Sequence, residues 1–347
     1  MSFQVSEYVS PGHPDKIADA ISSYLLDRYL EKDATVRFAV ETLVKERDCV
    51  LAGELTSHIE FRKDEIAKFV KEAYSKIGYT DEYALRWGHD NVCGSSALNI
   101  TQLISRQSPD IAKGVDRDGW GDQGVFWGMA VDDSATNFMP KDCWLARHIG
   151  STLYHRAKSE GICGLDIKTL VALNDGKVEQ LIVAAPLMEG QSEKPVFDTI
   201  HELVDISDEK IVLNGTGRYV VHGIIGDSGL TGRKLAVDFY GSNCVIGGGS
   251  PHGKDPTKAD VSLNIMARKM AKLQILNTQG LYKDGICFCG ISCAIGQSKV
   301  KVVYKDSTGN VIEKFDDDFP VSIVVNELGL TNPNYFERAI HGLFAHV

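Results

Sequence analysis

The chain has 347 residues, long enough for about two or three domains and a large buried core. Its composition, 43% hydrophobic and 24% charged residues, is typical of a water-soluble globular protein, and no apolar run approaches the ~20 residues that a membrane span needs. A formal net charge of -10 argues against a broad nucleic-acid-binding surface, although one basic pocket could lie within it.

The first clear element is a helix in the stretch SPGHPDKIADAISSYLLDRYL. Pro14 suits the first turn of a helix, and Asp15 favours its positive end. Ile17, Ile21 and Leu25 recur at helical spacing, which predicts an amphipathic helix. A histidine, an aspartate and a lysine at its start place a possible acid, an anion and a cation within four residues.

The elements that follow indicate an α+β fold. Strands are predicted at 36–45, 48–57, 165–174, 177–188, 286–296 and 299–306. Helices are predicted from Arg62 to Ile77, Cys143 to Ser159, Phe197 to Leu203 and Pro256 to Asn277. The similar element order in three units predicts a repeated architecture. We therefore expect domains at 1–106, 107–217 and 218–347, the second beginning with a mobile glycine-rich loop.

Eight cysteines are scattered along the chain, and none forms a convincing metal cluster. Cys287, Cys289 and Cys293 alternate with Ile286 and Phe288, which is strand periodicity. A zinc site would need a second paired cluster, so we expect buried thiols in a reduced protein. Residues 1–10 lack the basic start and apolar core of a signal peptide, and we expect a cytoplasmic location.

Two acids lie on otherwise apolar strands. Glu41 shares a strand face with Ala39 and Leu43, and Glu54 follows Gly53. Acids at such positions are exposed, paired or bound to a cation, because an unpaired buried charge is very costly. The residues alone leave these alternatives open.

The segments 214–241 and 247–264 combine basic residues with many glycines. Glycines let the backbone approach an anion, and successive amides can form a phosphate-binding nest. Lys254 precedes a predicted helix start, with Asp255 as its cap and Pro256 in its first turn, where anions bind well. No segment matches a Walker motif, so solvated lysines in glycine-rich turns remain the alternative.

A polyphosphate with its metal would account for this whole set of residues. The basic side chains would neutralise phosphate oxygens, while Asp15, Asp122 or Asp260 could hold Mg²⁺. Tyr219, beside Arg218, could stack on a base.

The chain resembles the S-adenosylmethionine synthetase family along nearly its whole length. The matching motifs, in family order, are GHPDKIADAI, ETLVK, AGELTS, RQSPDI, GVDR, GDQG, NDGK, TGRYV, GDSGLTGRK, VDFYGS and GGGSPHGKDPTKAD. The resemblance implies three pseudo-threefold-related domains of β-α-β-β-α-β type. It also implies a homodimer with active sites between subunits, and a tetramer as the larger alternative.

The resemblance implies a reaction of ATP, L-methionine and water. Methionine sulfur attacks C5′ of ATP and expels the triphosphate, which is then split to pyrophosphate and phosphate. A thioether sulfur has no proton to lose, so catalysis rests on alignment and on stabilising charge at the leaving oxygen. Two Mg²⁺ ions per site and K⁺ are the implied cofactors.

The resemblance also gives each candidate residue a role. His13 would bond ATP near the C5′–O5′ link and belongs to an implied catalytic set with Lys168, Arg233, Lys234 and Lys254. Further ATP contacts are implied for Lys16, Asp166, Arg218, Tyr219, Asp227 and Ser250. Methionine contacts are implied for Glu54, Gln107, Asp227 and Lys258. Asp15 and Asp260 are implied Mg²⁺ ligands, Glu41 a K⁺ ligand, and Asp122 a further site residue.

The chain departs from the family pattern at several positions. Ser250, Pro251 and His252 replace Ala, Phe and Ser of the family motif GGGAFSGKD, and the loop after Arg117 is shorter. Two other functions stay open, a non-catalytic regulatory relative and a hydrolase of ATP or triphosphate that lost the methionine step. The retained basic set argues against the first, and the retained methionine residues argue against the second.

Overall fold

Three four-stranded sheets and the helices packed on them form the computed structural model, which describes residues 3–106, 118–278 and 280–344. The strands are β1 Phe3–Val9, β2 Arg37–Lys45, β3 Asp48–Thr56, β4 Asn99–Ser105, β5 Gly124–Val131, β6 Lys168–Asn174, β7 Lys177–Ala184, β8 Ile211–Leu213, β9 Gly229–Leu230, β10 Ile286–Cys293, β11 Lys299–Lys305 and β12 Val311–Asp318. Gln107 and the adjoining part of the predicted loop, through residue 117, lie outside the described residues.

Helices lie between groups of these strands along the chain. They are α1 Pro14–Leu30, α2 Lys63–Ile77, α3 Asp81–Trp87, α4 Lys141–Ser159, α5 Lys194–Leu203, α6 Gly223–Gly226, α7 Leu235–Asp238, α8 Ala259–Asn277, α9 Val321–Glu327 and α10 Tyr335–His341. Among the described residues, we find no helix with the length and apolar character that crossing a bilayer requires.

Each sheet joins strands that are distant in the chain. The strand orders are β1-β6-β7-β8, β4-β3-β2-β9 and β12-β11-β10-β5. Most neighbours pair antiparallel, whereas β3 with β4 and β7 with β8 pair parallel. The α+β class is confirmed. β1 pairs with β6 and β5 pairs with β10, so strand pairing crosses the predicted domain limits, and the three chain segments stay a prediction.

The predicted helix from Pro256 begins three residues later, at Ala259. Asp255 does not cap it. Instead, the Asp255 carboxylate accepts from the Thr257 amide at 3.0 Å and from the Phe38 amide at 2.8 Å. Asp255 therefore closes a turn and anchors it to β2. Its carboxylate oxygens are bonded to these two backbone amides and not to the amides at the start of α8.

Helix α1 is buried on all sides rather than amphipathic. The predicted apolar face, including Ile17 and Ile21, is buried, but so are Ser22 and Ser23 on the polar side. The Ser22 hydroxyl lies 2.7 Å from the Thr42 hydroxyl, which satisfies it without water. Strands β2 and β9 and helices α2 and α10 pack around α1. Its N-terminus is therefore buried inside the molecule.

The alternation around Cys287 is confirmed as strand β10. The side chains of Cys287, Cys289 and Cys293 are buried, and all three thiols are free. Burial raises the pKa of the Cys287 thiol to about 11, which keeps it protonated and unreactive at neutral pH.

Candidate active site

The centre of the site is His13, the residue that caps α1. Its extended backbone places Nδ1 where it accepts the Asp15 amide at 3.1 Å, so the ring proton is on Nε2. Burial, helped by the positive charges of Lys168 and Lys234, lowers the pKa of His13 to about 3. His13 is therefore a neutral imidazole with a free Nε2–H donor, since the described residues make no hydrogen bond to that atom.

Asp15 lies beside His13, and its carboxylate forms ion pairs with two basic residues that follow β9. Its carboxylate accepts from Lys234 Nζ at 2.7 Å and from the Leu230 amide at 2.9 Å, and Arg233 Nε lies 3.4 Å away. Burial alone would raise the pKa of Asp15, but these donors hold it below its usual value. Asp15 is thus a carboxylate at neutral pH, already surrounded by cations.

An open cavity of about 380 Å³ adjoins this group. Asp166, Lys168, Arg218, Tyr219 and Asp227 all line it, which brings five of the predicted nucleotide residues together. The Tyr219 hydroxyl donates to the Asp166 carbonyl at 3.2 Å. Burial raises the pKa of the Asp166 carboxyl to about 6, and its Oδ2 accepts the Gly223 amide at 3.1 Å. The cavity combines an aromatic wall with basic side chains, the surroundings that a nucleotide needs.

His222 forms the floor of this cavity, and sequence reasoning gave it no role. Nδ1–H donates to the Val220 carbonyl at 2.7 Å, and Nε2 accepts from the Tyr83 hydroxyl at 2.7 Å. Tyr83 in turn accepts the Leu165 amide at 3.1 Å. This chain of bonds links the segments that carry Tyr219 and Asp166.

We expect His222 to make the fold sensitive to acid. Burial lowers its pKa from 6.5 to about 4, so its contribution to stability is complete above pH 6.5 and is lost as the pH falls towards 4. At about 1.4 kcal/mol per pKa unit, the loss reaches about 3 kcal/mol. Urea unfolding of the wild type and of His222→Gln at pH 7 and pH 4.5 measures it. The variant should lose clearly less stability between these pH values, and an equal loss in both proteins would contradict the assignment.

A second group of predicted residues lies on the segment between α7 and α8. Lys254 Nζ contacts Asp260 Oδ2 at 2.5 Å, and the Lys254 backbone bridges to Ala39 of β2. Ser250 accepts the His252 amide at 3.2 Å, and Lys258 is the residue before α8. Asp122 is exposed near the start of β5. Among the described residues, none of these predicted side chains bonds directly to those around His13, although His252 of the same segment lies 3.3 Å from Lys16 Nζ.

Glu41 and Glu54 lie on the outer face of sheet β4-β3-β2-β9. Glu41 is opposite Ala52, which is opposite Leu103, so these side chains share a face. Glu41 is exposed and Glu54 half-buried, and neither forms an ion pair within the described part of the chain. Both carboxylates are therefore at least partly open to solvent.

Lys16 lies in a buried charge network and not in the cavity. Its ammonium is 2.6 Å from Asp238 Oδ1, 3.0 Å from Asp19 Oδ2 and 3.3 Å from His252 Nε2. Asp19, Asp238 and His252 are also the one group among the described residues whose ligand atoms could surround a metal ion. The ammonium already fills that centre, so we interpret the group as a charge network. The ATP contact of Lys16 stays a prediction.

The predicted Mg²⁺ ligands are chemically suited to the ion. Asp15 and Asp260 offer carboxylate oxygens, the ligands that Mg²⁺ prefers, and each forms an ion pair with a lysine of the predicted phosphate set. A magnesium–phosphate complex would match both the acids and the lysines.

Comparison with known proteins identifies the family. The S-adenosylmethionine synthetase N-terminal domain matches residues 2–109, and the C-terminal domain matches residues 221–347. The chain belongs to the S-adenosylmethionine synthetase family. An S-adenosylmethionine synthase of Sulfurovum sp. (strain NBC37-1) is 36% identical over 98% of this chain and 92% of that protein. One from Myxococcus xanthus (strain DK1622) is 38% identical over 88% of this chain and 78% of that protein.

A solved structure extends the family likeness to the fold. The structure of an unusual S-adenosylmethionine synthetase from Campylobacter jejuni superposes with a TM-score of 0.87 at 29% identity. The match covers 99% of this chain and 94% of that one. The S-adenosylmethionine synthetase fold predicted from the motifs is confirmed.

Proposed function

We propose that the protein is a methionine adenosyltransferase, which makes S-adenosylmethionine, phosphate and pyrophosphate from ATP, L-methionine and water. The observation that carries the proposal is the neutral His13, which has a free Nε2–H donor and lies close enough to Lys168, Lys234 and Asp227 for their charges to shift its pKa. A transfer from C5′ of ATP needs a hydrogen-bond donor at the departing O5′ and cations along the triphosphate.

The cavity residues would align the nucleotide for attack at C5′. Tyr219 and Arg218 frame the adenine, while Lys168 and the pair Arg233 and Lys234 hold phosphate oxygens. His13 stabilises the negative charge that grows on O5′ as the bond to C5′ breaks. Because the imidazole is already neutral and fixed by the Asp15 amide, it donates without having to lose or gain a proton first.

The acids would place the ions and the second substrate. Asp15 and Asp260 would hold Mg²⁺, which neutralises the phosphates, and Glu41 would bind K⁺. Glu54 and Lys258, with Gln107, would hold methionine through its ammonium and carboxylate groups. The half-buried Glu54 without an ion-pair partner among the described residues supports this role, because it leaves a negative charge available for an ammonium.

A product assay tests the proposal. The protein is incubated with ATP, Mg²⁺ and methionine, and the products are separated by mass spectrometry. We expect S-adenosylmethionine and pyrophosphate in equal amounts. Phosphate release without any sulfonium would instead support the triphosphate hydrolase, and no turnover at all would support the regulatory relative.

We further propose a homodimer with each active site completed by the second chain. Within the described chain no direct bond joins the predicted residues around His13 to those around Lys254, and the acids Glu41 and Glu54 face outward beside exposed Leu43 and Leu103. A partner sheet on this face would bury the leucines and bring its own site residues to the acids.

The proposed dimer predicts that charged side chains on the outer face of sheet β4-β3-β2-β9 separate the two subunits. Leu43 and Leu103 are 44% and 62% exposed, so Leu43→Asp with Leu103→Asp should leave the fold intact, produce monomers and abolish most activity. Leu85→Asp, at the 75% exposed Leu85 of α3, is the matched control and should stay dimeric and active. Light scattering with parallel rate assays measures both. A wild-type mass of four chains, with activity lost on dilution to dimers, would count against this assembly.

A further inference from the structure

The most unusual buried feature outside the cavity is the charge network of Lys16, Asp19, Asp238 and His252. The four side chains are between 0% and 4% exposed. His252 Nε2 lies 2.9 Å from Asp238 Oδ2, so it donates its proton to that carboxylate. Lys16 is bound to the other oxygen of the same carboxylate at 2.6 Å. Asp238 is therefore held by two donors from different parts of the chain.

The network joins the three segments that carry the predicted phosphate-binding residues. Lys16 follows Asp15 in the first turn of α1. The Asp238 amide donates to the Lys234 carbonyl at 2.9 Å, so Asp238 closes the turn that begins with Lys234. Asp19 Oδ1 accepts the Gly232 amide at 2.8 Å, just before Arg233.

His252 is the network's contact with the third segment, two residues before Lys254. The backbone on its C-terminal side is fixed to β2, because the Val40 amide donates to the Gly253 carbonyl at 3.0 Å. Gly253 has φ +69 and no room for a side chain against Val40, so the chain turns sharply there. The His252 side chain is bonded to Asp238, and the Gly253 carbonyl is bonded to β2. The two residues that precede Lys254 are therefore both held in place.

Charge explains why a histidine suits this position. Asp19 and Asp238 are two buried carboxylates, and Lys16 supplies one buried ammonium. A buried carboxylate needs each of its oxygens bonded, and the His252 N–H satisfies the Asp238 oxygen that Lys16 leaves free. The serine that the family motif has here is too short to reach as far as an imidazole Nε2.

We propose that His252 is a positioning residue that fixes Lys254 for triphosphate binding by anchoring its loop to Asp238. The inference rests on the proposed function, because it assumes that Lys254 binds the triphosphate. Loss of the anchor weakens contacts to the phosphates and leaves the adenosine cavity, which His252 does not line, unchanged.

The test compares His252→Leu, which fills the space without a donor, with His252→Gln, whose amide nitrogen reaches as far as Nε2. Affinity for inorganic tripolyphosphate with Mg²⁺, and separately for adenosine, is measured by calorimetry. His252→Leu should bind tripolyphosphate about 10–100-fold more weakly, the loss expected for a hydrogen bond to a charged group. His252→Gln should stay within about threefold of wild type, and adenosine affinity should stay the same in both.

Two outcomes would overturn the inference. One is wild-type tripolyphosphate affinity in His252→Leu, and the other is an equal loss for adenosine, which would indicate general damage. If the leucine variant does not fold, His252→Asn replaces it, because the asparagine amide reaches only the position of Nδ1. His252→Asn should then bind tripolyphosphate as weakly as expected for His252→Leu, and more weakly than His252→Gln. Equal affinities of the asparagine and glutamine variants would also overturn it. If the wild type itself fails to bind tripolyphosphate, the proposed function fails, whereas a normal wild type with unaffected variants rejects the role of His252 alone.

Discussion

Replacing His13 with alanine should slow sulfonium formation by about 10²–10³-fold, the effect of removing one preorganised donor from a developing oxyanion. Charge grows on O5′ only while the C5′–O5′ bond breaks, so the Nε2–H donor acts in this step. Hydrolysis of added tripolyphosphate should fall much less, because that substrate has no C5′ and Arg233, Lys234 and Lys254 remain. Both rates are measured on one preparation with rapid-quench assays.

The alanine variant also loses the cap of α1, which by itself costs about 1 kcal/mol of stability. His13→Ser is the matched control, because serine caps helices well but has no N–H donor at the position of Nε2. We expect the serine variant to melt near the wild-type temperature and still to form the sulfonium slowly. Equal losses of the two rates in His13→Ser would mean that His13 only shapes the turn before Pro14.

Replacing Lys234 with glutamine should slow both chemical steps, by about 10²-fold or more each. Lys234 Nζ lies 2.7 Å from Asp15, at the point where the triphosphate and its metal are expected to bind. The Lys234 ammonium would stabilise the triphosphate first as the leaving group and then as the substrate of hydrolysis. Loss of this charge should therefore slow both steps. Sulfonium formation and tripolyphosphate hydrolysis are measured as for His13.

Lys141→Gln is the control for this lysine. Lys141 is exposed and donates to the Gly176 carbonyl at 2.8 Å, a contact that involves none of the candidate residues. Its removal should leave both rates unchanged. If Lys234→Gln retained tripolyphosphate hydrolysis while losing sulfonium formation, Lys234 would act on O5′ and not on the phosphates, and the division of roles with His13 would be wrong.

The local part of this structure could be predicted from the sequence. Proline and aspartate at the start of α1, and the alternation around Cys287, depend on neighbours within a few residues, so their patterns identified a helix and a strand. The motif GGGSPHGKDPTKAD implied that Lys254 binds the triphosphate and Asp260 binds Mg²⁺, and these two side chains form an ion pair.

The long-range part could not be predicted. The bond between Lys16 and Asp238 joins residues that are 222 positions apart, and a single sequence gives no indication of that pairing. Helix α1 was expected to be amphipathic, because nothing local shows that Thr42 would meet Ser22 on its polar side. The pairing of β1 with β6 is long-range in the same way, since β6 begins only at Lys168. The role of His222 depends on Tyr83, again from a distant segment.

The proposed reaction has a defined order, in which methionine displaces an intact triphosphate and water then splits it. A single turnover in ¹⁸O-labelled water, with ATP, Mg²⁺ and methionine, tests it most directly by mass spectrometry of every product. We predict unlabelled S-adenosylmethionine and equal amounts of pyrophosphate and phosphate. Each turnover should place one ¹⁸O atom in either the pyrophosphate or the phosphate. Formation of ADP or AMP, or ¹⁸O-labelled phosphate without any sulfonium, would contradict the claim.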